Sequence, residues 1–414
     1  MKIIVLDCET TVDNKGEDAV GDFEASPFSP FNRIVDYGVK RYGEGNEVVC
    51  NRNAQGYSYS DFIPHKCLPE IGPFTDVMLV GHNIKFDLLY MMQTSSEFAE
   101  GTFRDIWVWD TMLAEYLITG QVSHYASLDK CSVKYGGVLK DDRMKEYWKA
   151  GIKTQDIDPT ELRDYMIQDV LNTELVFTKQ MESIKKLGIL PLVKSQMSGL
   201  KATIEMEYNG MYFDKKTAAR LAKKTADDMK SKLIRIKELM SWSKPSSCYT
   251  PYFLQEIFNI NSTSDLATAL CGGAFQYDIK VDELDANNLP KRFKSGPRKG
   301  EVRQIKKTRY GVTDGFGVTP DPAWKTPSGK MGTSSSVLKD ISSKSSRMEV
   351  KEFCDLVLEY RALGKDLNTY YIGYSDLTWH DGCIHPSLSH VGTDTGRLSC
   401  SKPNLQNATQ TEDY

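Results

Sequence analysis

Asp7 and Glu9 stand two residues apart at the end of the run Lys2-Ile3-Ile4-Val5-Leu6, which reads as a buried β-strand. Residues i and i+2 of a strand face the same side, so both carboxylates aim at one point. Two anions so placed repel unless a cation lies between them. The pair asks for a divalent metal; the alternative is a solvated strand end with two ordinary acids. Two further segments supply acids. After the apolar run Val77-Met78-Leu79-Val80, the turn Gly81-His82-Asn83 leads into a helix with Asp87 in its first turn. A carboxylate just beyond a strand end lies where α/β sheets build their sites. Tyr165 and Asp169 are four apart in a helical run and share one face.

Four carboxylates from three segments, with a tyrosine one turn from the last, suit two-metal hydrolysis of a phosphodiester. One ion acidifies a bound water and the other stabilises the leaving oxygen, at a spacing of about 3.5 to 4 Å. Hard oxygen donors favour Mg2+ or Mn2+ over zinc. Tyr165 can orient the attacking water. Taken singly, each acid also reads as a surface acid and Tyr165 as a core residue.

The elements that must hold these groups alternate. Strands over Ile3–Leu6, Ile34–Tyr42 and Val77–Val80 interleave with helices from about Lys85 to Met92, Thr111 to Ile118 and Pro159 to Lys185. Asp158, Pro159 and Glu161 open the last of these as cap, first-turn proline and first-turn acid. That is an α/β domain over residues 1–190. From about Gln196 long helical stretches take over, at Ser198–Tyr208, Lys215–Met240 and Glu349–Leu377. A Gly, Pro and Ser-rich segment of irregular or hairpin-like character, about 272–346, separates the last two. Within it, Lys291 to Arg309 hold nine basic residues against the single acid Glu301, a positive edge suited to phosphate, with DNA or protein contact left open; the alternative is a plain solvated charge run.

With 26% charged and 40% hydrophobic residues, the composition is that of a globular protein with room for two or three domains. The net charge of −4 excludes a uniformly basic coat but not a local patch. Nine scattered cysteines without a Cys-x-x-Cys pair indicate neither a disulfide framework nor a zinc ribbon. No run approaches a membrane span and the N-terminus enters the first strand directly, so the expected location is cytoplasmic, the host cytoplasm for a viral protein. His380, Cys383, His385 and His390 fit no common zinc spacing, and Asp381-Gly382 reads as a hairpin turn.

Asp7-Cys8-Glu9-Thr10, Asn83-x-x-x-Asp87 and Tyr165-x-x-x-Asp169 together resemble the three motifs of the DEDD 3′-to-5′ exonucleases, in the subclass with tyrosine in the third. The resemblance covers about residues 1–190. It implies an RNase H-like fold, two Mg2+ or Mn2+ ions on Asp7, Glu9, Asp87 and Asp169, Tyr165 positioning the water, and contacts of Asn83 and the backbone near Thr10 with terminal nucleotides. Trp109 is a candidate stacking surface for a single-stranded end; the alternative is a core tryptophan.

Near the C-terminus, Arg397, Gln406 and Asn407 offer donors for a phosphate or a minor-groove base edge. The string Thr395-Gly396-Arg397-Leu398-Ser399 with Pro403-Asn404-Leu405-Gln406-Asn407 is similar to the primer-template segment of family A DNA polymerases. Glu205-Met206-Glu207-x-x-Gly210-x-x-x-Asp214, Asn261-Ser262-x-x-x-Leu266 and Glu359-Tyr360-Arg361 through Thr369-Tyr370 match further. The resemblance implies an exonuclease domain followed, over 191–414, by a mainly helical thumb and part of a palm, as in a phage-type polymerase. It departs from the family in lacking the palm aspartates and the fingers helix. The expectation is therefore a proofreading exonuclease that binds single-stranded 3′ ends and primer-template DNA and polymerises only with a palm and fingers. A second polypeptide of a split polymerase, or the rest of a longer chain, would supply these. The rivals are a mainly structural DNA-gripping subunit and a free-standing exoribonuclease.

Overall fold

The computed structural model describes residues 1–11, 25–52, 76–139, 143–241, 258–285 and 287–408. Of the basic segment 272–346, residue 286 lies outside the described residues. The chain forms two compact units, residues 1–214 with 374–414, and residues 215–373.

The first unit is built on a five-stranded mixed sheet in the order β3-β2-β1-β4-β5: β1 (Lys2–Thr10), β2 (Ile34–Arg41), β3 (Val49–Arg52), β4 (Val77–Gly81) and β5 (Trp107–Asp110). The central β1 runs antiparallel to β2 and parallel to β4, and β5 runs parallel to β4. Ile4, Val5 and Leu6 are buried, as expected of a strand covered on both faces. Pairing of β1 with β4 stops at Val5–Val80, while pairing with β2 continues past Asp7–Gly38 and Glu9–Asp36. The acidic end of β1 thus runs beyond its parallel neighbour, and α1 (Lys85–Thr94) starts beside it. The two four-residue strands β3 and β5 carry no alternating pattern long enough to be read from sequence.

The sheet is flanked by α2 (Thr111–Ile118), α3 (Leu128–Tyr135), α4 (Pro159–Leu187) and α5 (Leu190–Asn209). Asp158 caps α4, accepting from the Thr160 and Glu161 amides at 2.8 and 3.3 Å, with Pro159 in the first turn. Its buried stripe, Asp169, Val170, Thr173, Val176, Phe177, Gln180 and Ile184, follows the helical period. Gly38 admits it: a Cβ there would meet Val170 Cγ2 at 3.1 Å and Met166 Cγ at 3.2 Å. The buried Lys40 on β2 fixes it further through Glu174 Oε1 at 2.7 Å. Position 190 lies just past Gly188 (φ 70°), the left-handed cap ending α4. Helix α5 begins at Leu190, earlier than its apolar pattern suggests, because Pro191 fits a first turn that needs no amide donor.

The C-terminal residues of this unit add two small sheets. Met211–Tyr212 pairs antiparallel with Cys383–Ile384, which the Asp381-Gly382 turn folds back on Thr378–Trp379, and Ser387–Ser389 pairs with Ser399–Ser401. The Tyr116 hydroxyl on α2 donates to Thr393 O at 2.6 Å.

In the second unit, α6 (Lys215–Ser241), α7 (Thr263–Cys271), α8 (Ser335–Lys344) and α9 (Met348–Lys365) close over a core that includes Ile236, Leu266, Phe275, Leu338, Phe353 and Val357. Beyond α9 the chain continues through π-helical turns over Asp366–Gly373. Arg235 on α6 grips Glu352 on α9 with two bonds, 2.7 and 3.1 Å. The segment expected to be irregular or hairpin-like holds helix α8 and a ten-pair antiparallel ribbon of β6 (Gly273–Asp282) and β7 (Gln304–Thr313).

Candidate functional site

Asp7 and Glu9 from β1 and Asp169 from α4 each bring a carboxylate oxygen within 4.8 Å of the other two. A strand period of two and the buried stripe of a long helix achieve this together. Asp87, in the first turn of α1, is 4% exposed, and its Oδ1 accepts the Cys8 amide at 3.0 Å. That bond joins the start of α1 to β1 between the two acids. Burial first, then the charge of Asp7, pushes the Asp87 carboxyl well above the usual carboxylate range. The Cys8 thiol is pushed up too, by burial and then by Asp87, Asp7 and Glu9.

These residues fit a hard divalent cation. The donors are all carboxylate oxygens, and an octahedral Mg2+ with bonds of about 2.1 Å spans ligands up to about 4.2 Å apart, so small side-chain rotations close the set. Tyr165 sits one turn before Asp169 on α4, half-buried beside Val35 and Leu162, with its ring edge-on to Trp148 at 6.2 Å.

A cleft of about 970 Å³ opens from Asp7 and Asp169, past Asn83 and Phe86, to the C-terminal residues Ser387–Val391 and Ser399–Lys402 of the same unit. Asn83 is exposed on its wall in a left-handed conformation (φ 56°) that Asn tolerates. Thr10 is buried at a register shift of β1. Arg397, Gln406 and Asn407 are exposed; Gln406 Nε2 donates to Leu398 O at 3.0 Å. None of these three lines the cleft.

Trp109 requires a correction. It is 3% exposed, and its ring packs edge-on against Phe177 at 5.6 Å, so neither face is open to a nucleobase. Central strand positions beneath α4 are filled by the core; Trp107, where β5 begins, is 54% exposed.

Two residues beside the site escaped the sequence reading. Asp110 caps α2, accepting from the Met112 and Leu113 amides at 2.8 and 3.4 Å, and the same Oδ1 accepts the Asn83 amide at 3.0 Å. It therefore holds Asn83 in place. Burial raises its carboxyl to about 6. An Asp directly before a helix is a cap signal, and the sequence carried it. Lys85 Nζ donates to Glu207 Oε1 on α5 at 2.7 Å and to Leu388 O at 2.6 Å, and the Leu388 amide donates to the same carboxylate. No local pattern marks partners 122 and 303 residues away. His385 is held by Glu207 O and Asp381, and His390 bonds Thr203. His82 lies between Thr111 Oγ1 and Ala126 O.

Residues 307–414 match the family model of DNA polymerase family A. Its curated relatives include bacterial DNA polymerases I. That of Helicobacter pylori is 50% identical over 52 residues, 13% of this chain and 6% of the relative. That of Geobacillus stearothermophilus is 24% identical over 309 residues, 72% of this chain and 27% of the relative. The chain spans about a quarter or less of the length of these relatives. Among solved structures, the POL domain of Pol1 from M. smegmatis, in complex with DNA primer-template and dNTP, is similar with a TM-score of 0.58 at 15% identity. That match covers 99% of this chain and 52% of the other, and establishes a likeness of fold. No helix among the described residues is long and apolar enough to cross a membrane.

Proposed function

We propose that this chain is a DNA-binding, metal-dependent 3′-to-5′ exonuclease of the family A polymerase type, with an RNase H-like exonuclease domain over residues 1–190 and thumb and palm elements over 191–414. The observation that carries the reading is the convergence of Asp7, Glu9 and Asp169 within 4.8 Å, with Asp87 anchored beside them on Cys8. The strand order 3-2-1-4-5 and the polymerase match at 307–414 support it.

Asp7, Glu9, Asp87 and Asp169 would hold two Mg2+ or Mn2+ ions, which when bound neutralise phosphate charge and make water nucleophilic near pH 7. The residues of the chain do the rest. Asn83, its backbone N–H held by Asp110, offers its side-chain carboxamide to the terminal nucleotide from the cleft wall. The Tyr165 hydroxyl, one helical turn from Asp169, accepts or donates a hydrogen bond to the attacking water and sets its line of approach. Phe86 narrows the cleft beside a single strand. A frayed single-stranded 3′ end is the substrate this cleft would take.

Polymerisation, in this reading, requires palm and fingers as well, supplied by a second polypeptide or by the rest of a longer chain. The test is a time course on 3′-labelled DNA and RNA oligonucleotides with Mg2+, comparing the unsubstituted chain with Asp7→Ala. Release of terminal nucleotides from DNA that disappears in the variant is expected. Equal hydrolysis by both proteins would remove the assignment, and preference for RNA would change the substrate class.

A further inference from the structure

Residues 273–313 carry ten Lys and Arg against five Asp and Glu, in a chain whose net charge is −4. All five acids are engaged within this segment. Asp278 accepts from Thr308 Oγ1 at 2.9 Å and Asp282 from Gln304 Nε2 at 3.3 Å. Glu283 pairs with Lys291 and Arg303, Asp285 accepts the Asn287 and Leu289 amides, and Glu301 pairs with Arg298. Among the described residues this leaves Lys280, Arg292, Lys294, Lys299, Lys306, Lys307 and Arg309 exposed and outside any ion pair, Arg292 donating to Gly300 O.

The ribbon register decides where four of these charges stand. Lys280 lies directly opposite Lys306, so both project from one face of the β6–β7 ribbon, while Lys307 and Arg309 project from the other. Like charges directly opposite across strands destabilise a ribbon, and an anion between them removes the penalty. Apart from the buried Phe275, Gly311 and Thr313 near its base, the described side chains of the ribbon are exposed or half-buried.

We infer that this ribbon binds the phosphate backbone of double-stranded DNA, entering a groove with Lys280 and Lys306 towards one strand and Lys307 and Arg309 towards the other. A major groove about 12 Å wide admits a two-stranded ribbon, and cations on both faces match its two phosphate walls. A flat acidic protein surface would use only one face. The binding is independent of sequence and sensitive to salt, since phosphate contacts release counterions. The inference rests on the DNA-binding reading above and adds to it the element that grips duplex.

The test uses the full chain and a variant with Lys280, Lys306, Lys307 and Arg309 all changed to Ser, titrated with labelled blunt duplex from 50 to 300 mM KCl. The substituted positions are exposed, and circular dichroism checks that the fold is retained. The expected result is duplex affinity about tenfold or more weaker at 100 mM salt. The slope of log K against log salt should be shallower by about 2 to 4, near one per lost phosphate contact. Hydrolysis of a short single-stranded oligonucleotide should not change. Unaltered affinity and slope in the variant, with hydrolysis intact, would overturn the ribbon inference and leave the exonuclease reading standing. Tighter binding of polyglutamate than of duplex at equal salt would overturn it in favour of an acidic protein partner. Absence of both duplex binding and hydrolysis in the unsubstituted chain would overturn the underlying reading as well.

Discussion

The half-buried Lys85 and the buried Glu207 form an ion pair at 2.7 Å that joins the helix carrying Asp87 to α5, and the carbonyl and amide of Leu388 complete the polar shell of the pair. Burial raises the Glu207 carboxyl, and Lys85 opposes that shift. Removing one partner of such a pair strands the other charge in a poorly solvated place.

Lys85→Met is therefore expected to lower the unfolding free energy by about 3 kcal/mol, and Lys85→Met with Glu207→Leu to recover most of the loss. Urea unfolding of the two variants measures both. Equal losses in the single and double variants would show that packing, not the ion pair, fixes this contact.

Metal binding should be visible without any turnover. A ligand that binds only the folded state at 100 times its dissociation constant adds about 2.7 kcal/mol, so Mg2+ should raise the melting temperature of the unsubstituted chain. Asp169→Asn removes one of three converging charges. Without metal the variant should melt no lower than the parent, because carboxylate repulsion falls, and Mg2+ should no longer raise its melting temperature. A parent indifferent to Mg2+ and Mn2+ contradicts the site.

Tyr165→Phe separates the hydroxyl from the ring. The ring packs on Trp148 and the cluster of Val35, Met144, Ile157 and Leu162, so stability should stay within about 0.5 kcal/mol. Loss of the water-orienting hydroxyl should slow hydrolysis by about 100-fold at saturating substrate. Single-turnover rates read this directly; an unchanged rate leaves Tyr165 a packing residue.

Asp110 gives a pH signature. Its folded pKa of about 6 lies above the ordinary 3.8, so between these values the folded chain binds more protons than the unfolded one. The stability it contributes is present below about pH 4 and is lost as pH rises to about 6, an amplitude of about 3 kcal/mol. Asp110→Asn keeps an acceptor for the Asn83, Met112 and Leu113 amides and removes the titration. The stability difference between parent and variant should shift in the variant's favour across pH 4 to 6 and then stay level. Denaturant midpoints at pH 4, 5, 6 and 7 decide it.

The local chemistry was legible in the sequence. The period of β1, the four-residue spacing of Tyr165 and Asp169, and the Asp158-Pro159 start of α4 are short-range rules that need no knowledge of distant residues. Tertiary structure alone decided which way the larger surfaces face. Trp109, readable from its neighbours as an open ring, lies beneath α4 because packing of a helix on a sheet is set by residues such as Gly38 and Lys40, far away in the chain. Lys85 finds Glu207 and Leu388 for the same reason. The charge of the segment around Lys291–Arg309 was evident from composition, but its division between two faces of a ribbon depends on cross-strand register, which one residue of slippage would invert. Sequence determined which groups can do chemistry; long-range packing and register determined which of them meet and which stay exposed.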